Sequence, residues 1–389
     1  MTRPLRVLGS DRPEDVFVAL REALAGGGSA VVPRDSGSTS GTDWPAADDT
    51  VAQNVALVIE TSGSTGTPKR VALSADALLA SAAASAGAMG GQGQWLLALP
   101  AHYVAGAQVL VRSIAAETVP VSYGSGHFDP VRFSALAAEL THDLRFVSLV
   151  PVQLGRLVDA AEQGSRPVAD ALRRFDGILV GGQALGEGLR ERALAAGARI
   201  LGTYGSSETA GGCVYDGMPI GPTVVREVHG MLEIGGPVLA EGYLDDPERT
   251  AAAFHEADGM RWYRTGDLGS VSADGRVSVL GRADNVIISG GEKVLLDAVE
   301  RAVRMLDGYE HAIVVAAPSE EWGQVPVVAV SGHPVVALAE VRRFVAERVG
   351  RPAAPARVVR FDELPHLTSG KPDRVAVARS VAAASVETA

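Results

Sequence analysis

Lysine is scarce in this sequence. Of 35 basic residues only Lys69, Lys293 and Lys371 are lysines, so arginine carries nearly all the positive charge. Cysteine is scarcer still. Cys213 stands alone, which excludes an internal disulfide and fits a reducing, cytoplasmic setting. No Cys/His cluster with metal-ligand spacing occurs, so a structural zinc site is not expected. Basic charge is also outweighed. The 35 basic and 46 acidic side chains sum to −11, which argues against a general nucleic-acid-binding face. The opening MTRPLRVLGSDRPEDVF has no apolar core of signal-peptide length before its first acids. Residues 77–111 lack Asp, Glu, Lys and Arg, but Ser81, Gly91, Gln92, Gln94, Pro100 and His102 interrupt them. A membrane span needs about 20 mostly apolar residues, so this stretch reads as buried soluble structure and no membrane insertion is expected. There is no GxSxG elbow for a Ser-His-Asp hydrolase.

What is present points to an α/β fold. At 389 residues the chain is long enough for two or three folding units, since a domain averages about 150 residues. Helix is expected over Glu14–Leu24, around 75–85, and from Asp129-Pro130 through Glu139, where a capping residue precedes proline. Strands are expected at Val55–Glu60 and Trp95–Leu99. Phe146–Val150, Pro151–Ala160, Gly177–Val180, Leu185–Ala196 and Arg199–Thr203 then alternate strand, helix, strand, helix, strand, the pattern of parallel βαβ units. From Cys213 to Val279 short runs between Gly, Pro and Asp suggest hairpins in a small antiparallel barrel or sheet. After Gly281 a second unit is expected, with helices Val294–Met305 and Pro334–Val349 and strands Ala312–Ala317, Val325–Ser331 and Arg357–Phe361. The expected division is thus 1–281 and 282–389. A homo-oligomer is left open.

Ligands of open α/β sheets bind beyond the carboxyl ends of the strands. Three loops lie there: Thr61–Lys69, Gly181–Gln183 and Tyr204–Glu208. The first, in TSGSTGTPKR, offers backbone amides, the hydroxyls of Thr61, Ser62, Ser64 and Thr65, the flexible Gly63, and Lys69, all suited to phosphate oxygens. It is not a Walker A loop, because Gly66 is followed by Thr-Pro-Lys. In TYGSSET, Tyr204 can stack on a base, Ser207 can reach a phosphate oxygen and Glu208 can hold a hard cation such as Mg²⁺. Taken alone that string reads equally well as a capped turn. Asp267 in YRTGDLG and Arg282 in LGRAD flank a short hairpin; the carboxylate can accept from ribose hydroxyls, or the two can form one more surface ion pair. All three lysines sit in Gly/Ser/Thr-rich loops, where a compact ammonium can follow a phosphate oxygen.

In order, TSGSTGTPKR, ALPAHYVAG, LVGGQAL, TYGSSET, YRTGDLG, GRADNVIISGGEKV and TSGKPDR resemble the adenylate-forming superfamily of acyl-CoA synthetases, luciferases and peptide-synthetase adenylation domains. The strings run from residue 60 to 374. ETAGGCVYDG, SLVPVQLGRL and HYVAGAQVLVRS are most similar to its CoA ligases for an aryl keto-dicarboxylic acid. Arg70 and Ser207 depart from it, many relatives having Gly and Thr there. The resemblance implies a large N-terminal core and a mobile C-terminal lid, and ATP, Mg²⁺ and CoA as small-molecule ligands. It implies that Gly181, Gly182, Gln183 and Tyr204 hold adenine, and that Asp267 and Arg282 hold ribose. Ser207 would contact the α-phosphate, Glu208 would bind Mg²⁺, Asp284 would be the hinge, and Lys371 would bridge the acid and the α-phosphate. His102 and Arg112 are the candidates for the acid's second carboxylate, with Gly211 and Gly212 leaving room for its ring. Another acyl-CoA ligase of the superfamily, or a nucleotide-binding module without ligase activity, are the alternatives.

Overall fold

The parallel alternation read from the sequence is built. A computed structural model describes residues 1–35, 46, 49–61, 69–332, 336–366 and 372–386. Arg145–Leu149, Gly177–Val180 and Ile200–Ser206 pair in parallel, with Val147 opposite Ile178 and Ile178 opposite Ile200. Gly177–Val180 is buried throughout, as a strand covered by helices on both faces must be. The intervening helices start where local chemistry supplies a cap or a proline. Asp129 accepts from the Arg132 amide at 2.6 Å ahead of Pro130–Ala138, and Pro151 opens Pro151–Glu162. Phe133, Leu154, Leu157, Val168 and Phe175 are wholly buried between these helices and the sheet.

Four sheets occur among the described residues. The first runs, in spatial order, Gly242–Tyr243, Lys69–Ser74, Val55–Thr61, Ala30–Arg34, Thr2–Gly9, Thr50–Ala52. The second runs Met218–Pro219, Gly211–Tyr215, Ile200–Ser206, Gly177–Val180, Arg145–Leu149, Gln94–Leu97, Val121–Ser122. The third contains Val224–Val228, Met231–Gly235, Met260–Val271, Phe254–Ala257 and Val277–Arg282; the fourth contains Val286–Ser289, Glu292–Leu295, Ile313–Ser319, Gly323–Ser331 and Arg357–Phe361.

The chain divides into two compact units: Met1–Arg226 with Glu233–Arg264 and Val271–Val277, and Glu227–Leu232 with Thr265–Ser270 and Ser278–Ala389. The second unit has its own core of Val299, Val303, Val314, Val328, Val341 and Val345.

Four expectations change. Cys213 does not begin the hairpin region: Gly211–Tyr215 joins the second sheet antiparallel to Ile200–Ser206, because Ala210 and Gly211 take positive φ of 50° and 100° and reverse the chain. The helix expected at Val294–Met305 is Leu296–Val303, since Val294 and Leu295 pair with Ile287 and Val286 across the Gly290-Gly291 turn. Lys293, expected in a loop, is paired with Ile288 in that hairpin. The helix expected from Pro334 runs Leu338–Val349; residues 333–335 lie outside the described residues.

Candidate active site

Ser62, Gly63, Ser64, Thr65 and Lys371 lie outside the described residues. The two residues that frame the first loop, Thr61 and Lys69, face each other as the last pair of an antiparallel ladder between Val55–Thr61 and Lys69–Ser74. Glu60 accepts from Arg34 at 2.7 and 3.1 Å, and Arg70, the residue that replaces a common glycine, lies 3.5 Å from the same carboxylate. Both ends of the loop are thereby anchored to sheet backbone.

Tyr204 lies within the strand Ile200–Ser206, and Ser207–Thr209 makes one turn of 3₁₀ helix after that strand. Gly205 has a φ of +158°, and a side chain there would put Cβ 2.1 Å from the Gly211 carbonyl oxygen, so only glycine lets the two strands approach. Ser207 and Glu208 are buried at 8% and 6% exposure. Glu208 accepts a 2.8 Å hydrogen bond from the Tyr243 phenol, and the Glu208 carbonyl accepts from the Ala240 amide at 2.8 Å. The Lys69 ammonium lies 5.5 Å from the centre of the same Tyr243 ring. Lys69 and the Glu208 turn thus meet at Tyr243, a residue that sequence reasoning missed. Its only signal is an aromatic after glycine in AEGYLDD, and the pairing of Gly242–Tyr243 with Ala72 and Val71 is invisible in sequence.

The donor set fits a magnesium ion brought in with a polyphosphate. Such ions take one or two carboxylates plus phosphate oxygens and water. Glu208 offers one carboxylate, and no group of three or more His, Cys, Asp or Glu able to hold a metal occurs among the described residues. The Ser206 hydroxyl, two positions before Glu208 in the chain, is buried without a protein partner among the described residues, as a group that binds ligand oxygen would be.

Gly181 follows Gly177–Val180, and a Cβ there would lie 2.3 Å from Thr203 Oγ1, which bonds the Val180 carbonyl. Gly181, Gly182 and Gln183 therefore leave the sheet directly beside the strand that carries Tyr204. A side chain at Gly211 would come 3.3 Å from Gln108, and one at Gly212 3.1 Å from Thr203. Gln108, also missed in the sequence, is wholly buried, and its Oε1 has no hydrogen-bond partner among the described residues.

His102 and Arg112 stand at opposite ends of the helix Val104–Ala115. His102 Nδ1 lies 2.7 Å from the Ser10 hydroxyl, and burial lowers the pKa of its ring, opposed in part by Asp35. Arg112 is buried against Trp95 and Tyr215.

In the second unit the structure does bring Asp267 and Arg282 together. Arg282 Nη1 lies 3.3 Å from Asp267 Oδ1 and 2.9 Å from the Thr265 carbonyl, while its Nε and Nη2 reach Asp284 at 3.2 and 3.3 Å. The expected ribose pair and the expected hinge residue form one charged cluster.

Comparison with known proteins shows the family. The AMP-binding enzyme family matches residues 21–249, and the AMP-binding enzyme C-terminal domain matches 298–371. A protein of Mycobacterium tuberculosis named "Probable 2-succinylbenzoate--CoA ligase" is 36% identical over 392 residues, covering 98% of both chains. The structure of o-succinylbenzoate coenzyme A synthetase from Bacillus subtilis in complex with AMP superposes with a TM-score of 0.75 at 22% identity, over 96% of this chain and 87% of that one. The same enzyme in complex with ATP and magnesium ion gives 0.69 at 26% identity, over 82% and 69%.

Proposed function

The chain belongs to the AMP-binding enzyme family, and we propose that within it the protein is the AMP-forming ligase that joins 2-succinylbenzoate to coenzyme A in menaquinone biosynthesis. The observation that carries this reading is the full-length likeness to the mycobacterial ligase, 36% over 98% of both chains.

A carboxylate is a poor electrophile and is repelled by a polyphosphate. In the first half-reaction a carboxylate oxygen of the acid attacks the α-phosphorus of ATP and the bond to pyrophosphate breaks. Lys371 supplies positive charge where the two anions meet, and preorganised charge of this kind is usually the largest catalytic term. Ser207 donates to the α-phosphate, Glu208 would hold a Mg²⁺ that would balance polyphosphate charge, and the Thr61–Lys69 loop cradles the remaining oxygens. Tyr204 and Gly181–Gln183 take adenine, and Asp267 and Arg282 take ribose. In the second half-reaction the CoA thiolate attacks the acyl carbon and the bond to AMP breaks. Residues 282–389 form a lid that turns about Asp284, removes Lys371 and presents the Ile287–Lys293 hairpin. For the acid, Arg112 and His102 meet the second carboxylate, with the ring beside Gly211 and Gly212.

The test is pyrophosphate–ATP exchange with a panel of acids, followed by thioester formation with CoA. Exchange that depends on 2-succinylbenzoate and thioester that depends on CoA support the assignment. Exchange with another aryl acid alone moves it to a sister ligase, and no acid-dependent exchange rules out ligase chemistry.

A further inference from the structure

We propose that Tyr243 is a positioning residue for the nucleotide site: its phenol orients Glu208 toward the bound metal, and its ring holds Lys69 at the mouth of the phosphate loop. The proposal rests on the assignment of Glu208 above and concerns a residue that assignment does not use.

Tyr243 lies 35 positions after Glu208, on a two-residue strand at the edge of the first sheet. Its position is set without any ligand. Gly242 and Tyr243 pair with Ala72 and Val71, the Leu244 amide donates to the Arg70 carbonyl at 2.9 Å, and the Tyr243 amide donates to Thr250 Oγ1 at 2.9 Å. Asp245, held at a φ of +59°, places its carboxylate 3.6 Å from Arg70, so the chain after Tyr243 is tied back to the residue after Lys69. The Phe254 ring, 6.0 Å away, backs the tyrosine.

The chemistry of the contact suits a metal carboxylate. A magnesium-bound carboxylate needs one oxygen oriented toward the ion while the other is occupied, and such outer partners commonly fix the ligand. The phenol at 2.8 Å occupies Oε1. It brings no positive charge, so the carboxylate keeps its full attraction for a cation, which an arginine in the same place would cancel. An ordinary tyrosine phenol ionises only at about pH 10, so the group is a donor at neutral pH. The ring adds the second link, a cation–π contact with Lys69 at 5.5 Å. One side chain thereby sets the spacing between the metal carboxylate and the loop lysine.

The experiment compares Tyr243→Phe, which keeps the ring, with Tyr243→Leu, which removes it. Mn²⁺ binding in the presence of ATP, without acid or CoA, is read by electron paramagnetic resonance, and ATP binding is read separately in EDTA. Tyr243→Phe is expected to weaken Mn²⁺ about tenfold and leave metal-free ATP binding unchanged, while Tyr243→Leu weakens both. On a Glu208→Gln background Tyr243→Phe should cause no further loss. Unchanged Mn²⁺ affinity in Tyr243→Phe, or losses that simply add, overturns the proposal. Should the phenylalanine variant not fold, 3-fluorotyrosine at position 243 serves instead: a ¹⁹F signal that shifts with Mg·ATP but not with ATP in EDTA supports the contact, and one indifferent to metal overturns it. Because no acid is present, failure of the acid panel leaves this result standing. Unchanged Mn²⁺ affinity in Glu208→Gln overturns both this proposal and the Glu208 assignment.

Discussion

The guanidinium of Arg112 lies 4.9 Å from the centre of the Trp95 ring, at 6% exposure, and has no carboxylate partner among the described residues. Its Nη2 lies 3.5 Å from the Tyr215 hydroxyl, and that hydroxyl is already 2.6 Å from Ser85 Oγ. Its Nε has no hydrogen-bond partner among the described residues. Burial lowers the pKa of the group, although a guanidinium remains charged. A buried cation without a counter-ion costs several kcal/mol, and an anionic substrate group would offset that cost.

Arg112→Met should therefore leave the melting temperature unchanged or raise it, because packing volume is kept and an uncompensated charge is removed. It should raise KM for 2-succinylbenzoate at least about tenfold, since a charge-assisted contact is worth about 2 kcal/mol or more. A lowered melting temperature with an unchanged KM would assign Arg112 to the fold alone.

Lys371→Ala separates the half-reactions. Acyl-AMP formation should fall roughly 10²- to 10³-fold or more, while conversion of supplied acyl-AMP and CoA to thioester persists. Rapid-quench assays of each step check this, and equal loss of both would refute the division of labour.

His102 gives a pH signature. Its folded-state pKa lies below the ordinary value of 6.5 because burial disfavours the imidazolium. The unfolded chain therefore binds the proton more readily, and stability is present above pH 6.5 and lost as pH falls through the depressed folded value. His102→Asn should flatten that acid-side decline in melting temperature without altering the alkaline side. A variant that declines in parallel with the parent would place the titrating group elsewhere.

Gly205→Ala should unfold the site. The added Cβ would meet backbone, the Gly211 carbonyl oxygen at 2.1 Å, in a conformation that side chains rarely adopt. A loss of about 3 kcal/mol or more is expected, visible as a lowered melting temperature together with weakened ATP binding. A stable variant with normal binding would show that the two strands need not approach so closely.

Local pattern accounts for what could be read in advance. Buried β-branched runs such as Gly177–Val180, capped starts such as Asp129-Pro130, and glycine-rich strand exits at Thr61 and Gly181 each declare themselves within a few residues. The errors arose where a distant or backbone constraint prevailed. Val294 and Leu295 have helical neighbours but pair across a Gly-Gly turn, and Gly211–Tyr215 completes a parallel sheet instead of opening a barrel.

The order of motifs and the strand–loop placement of Lys69 and Glu208 follow from sequence alone, because each depends on short-range periodicity and spacing, and the family follows from the likeness of those motif strings to known ones. Which side chains meet was decided by tertiary structure. Tyr243 reaches Glu208 only because a two-residue strand closes onto the strand Lys69–Ser74, which lies far earlier in the chain. Arg112 is stranded on Trp95 only because helix Val104–Ala115 packs it there. Contacts of that kind depend on loop closure and burial across the whole chain, and no window of sequence encodes them.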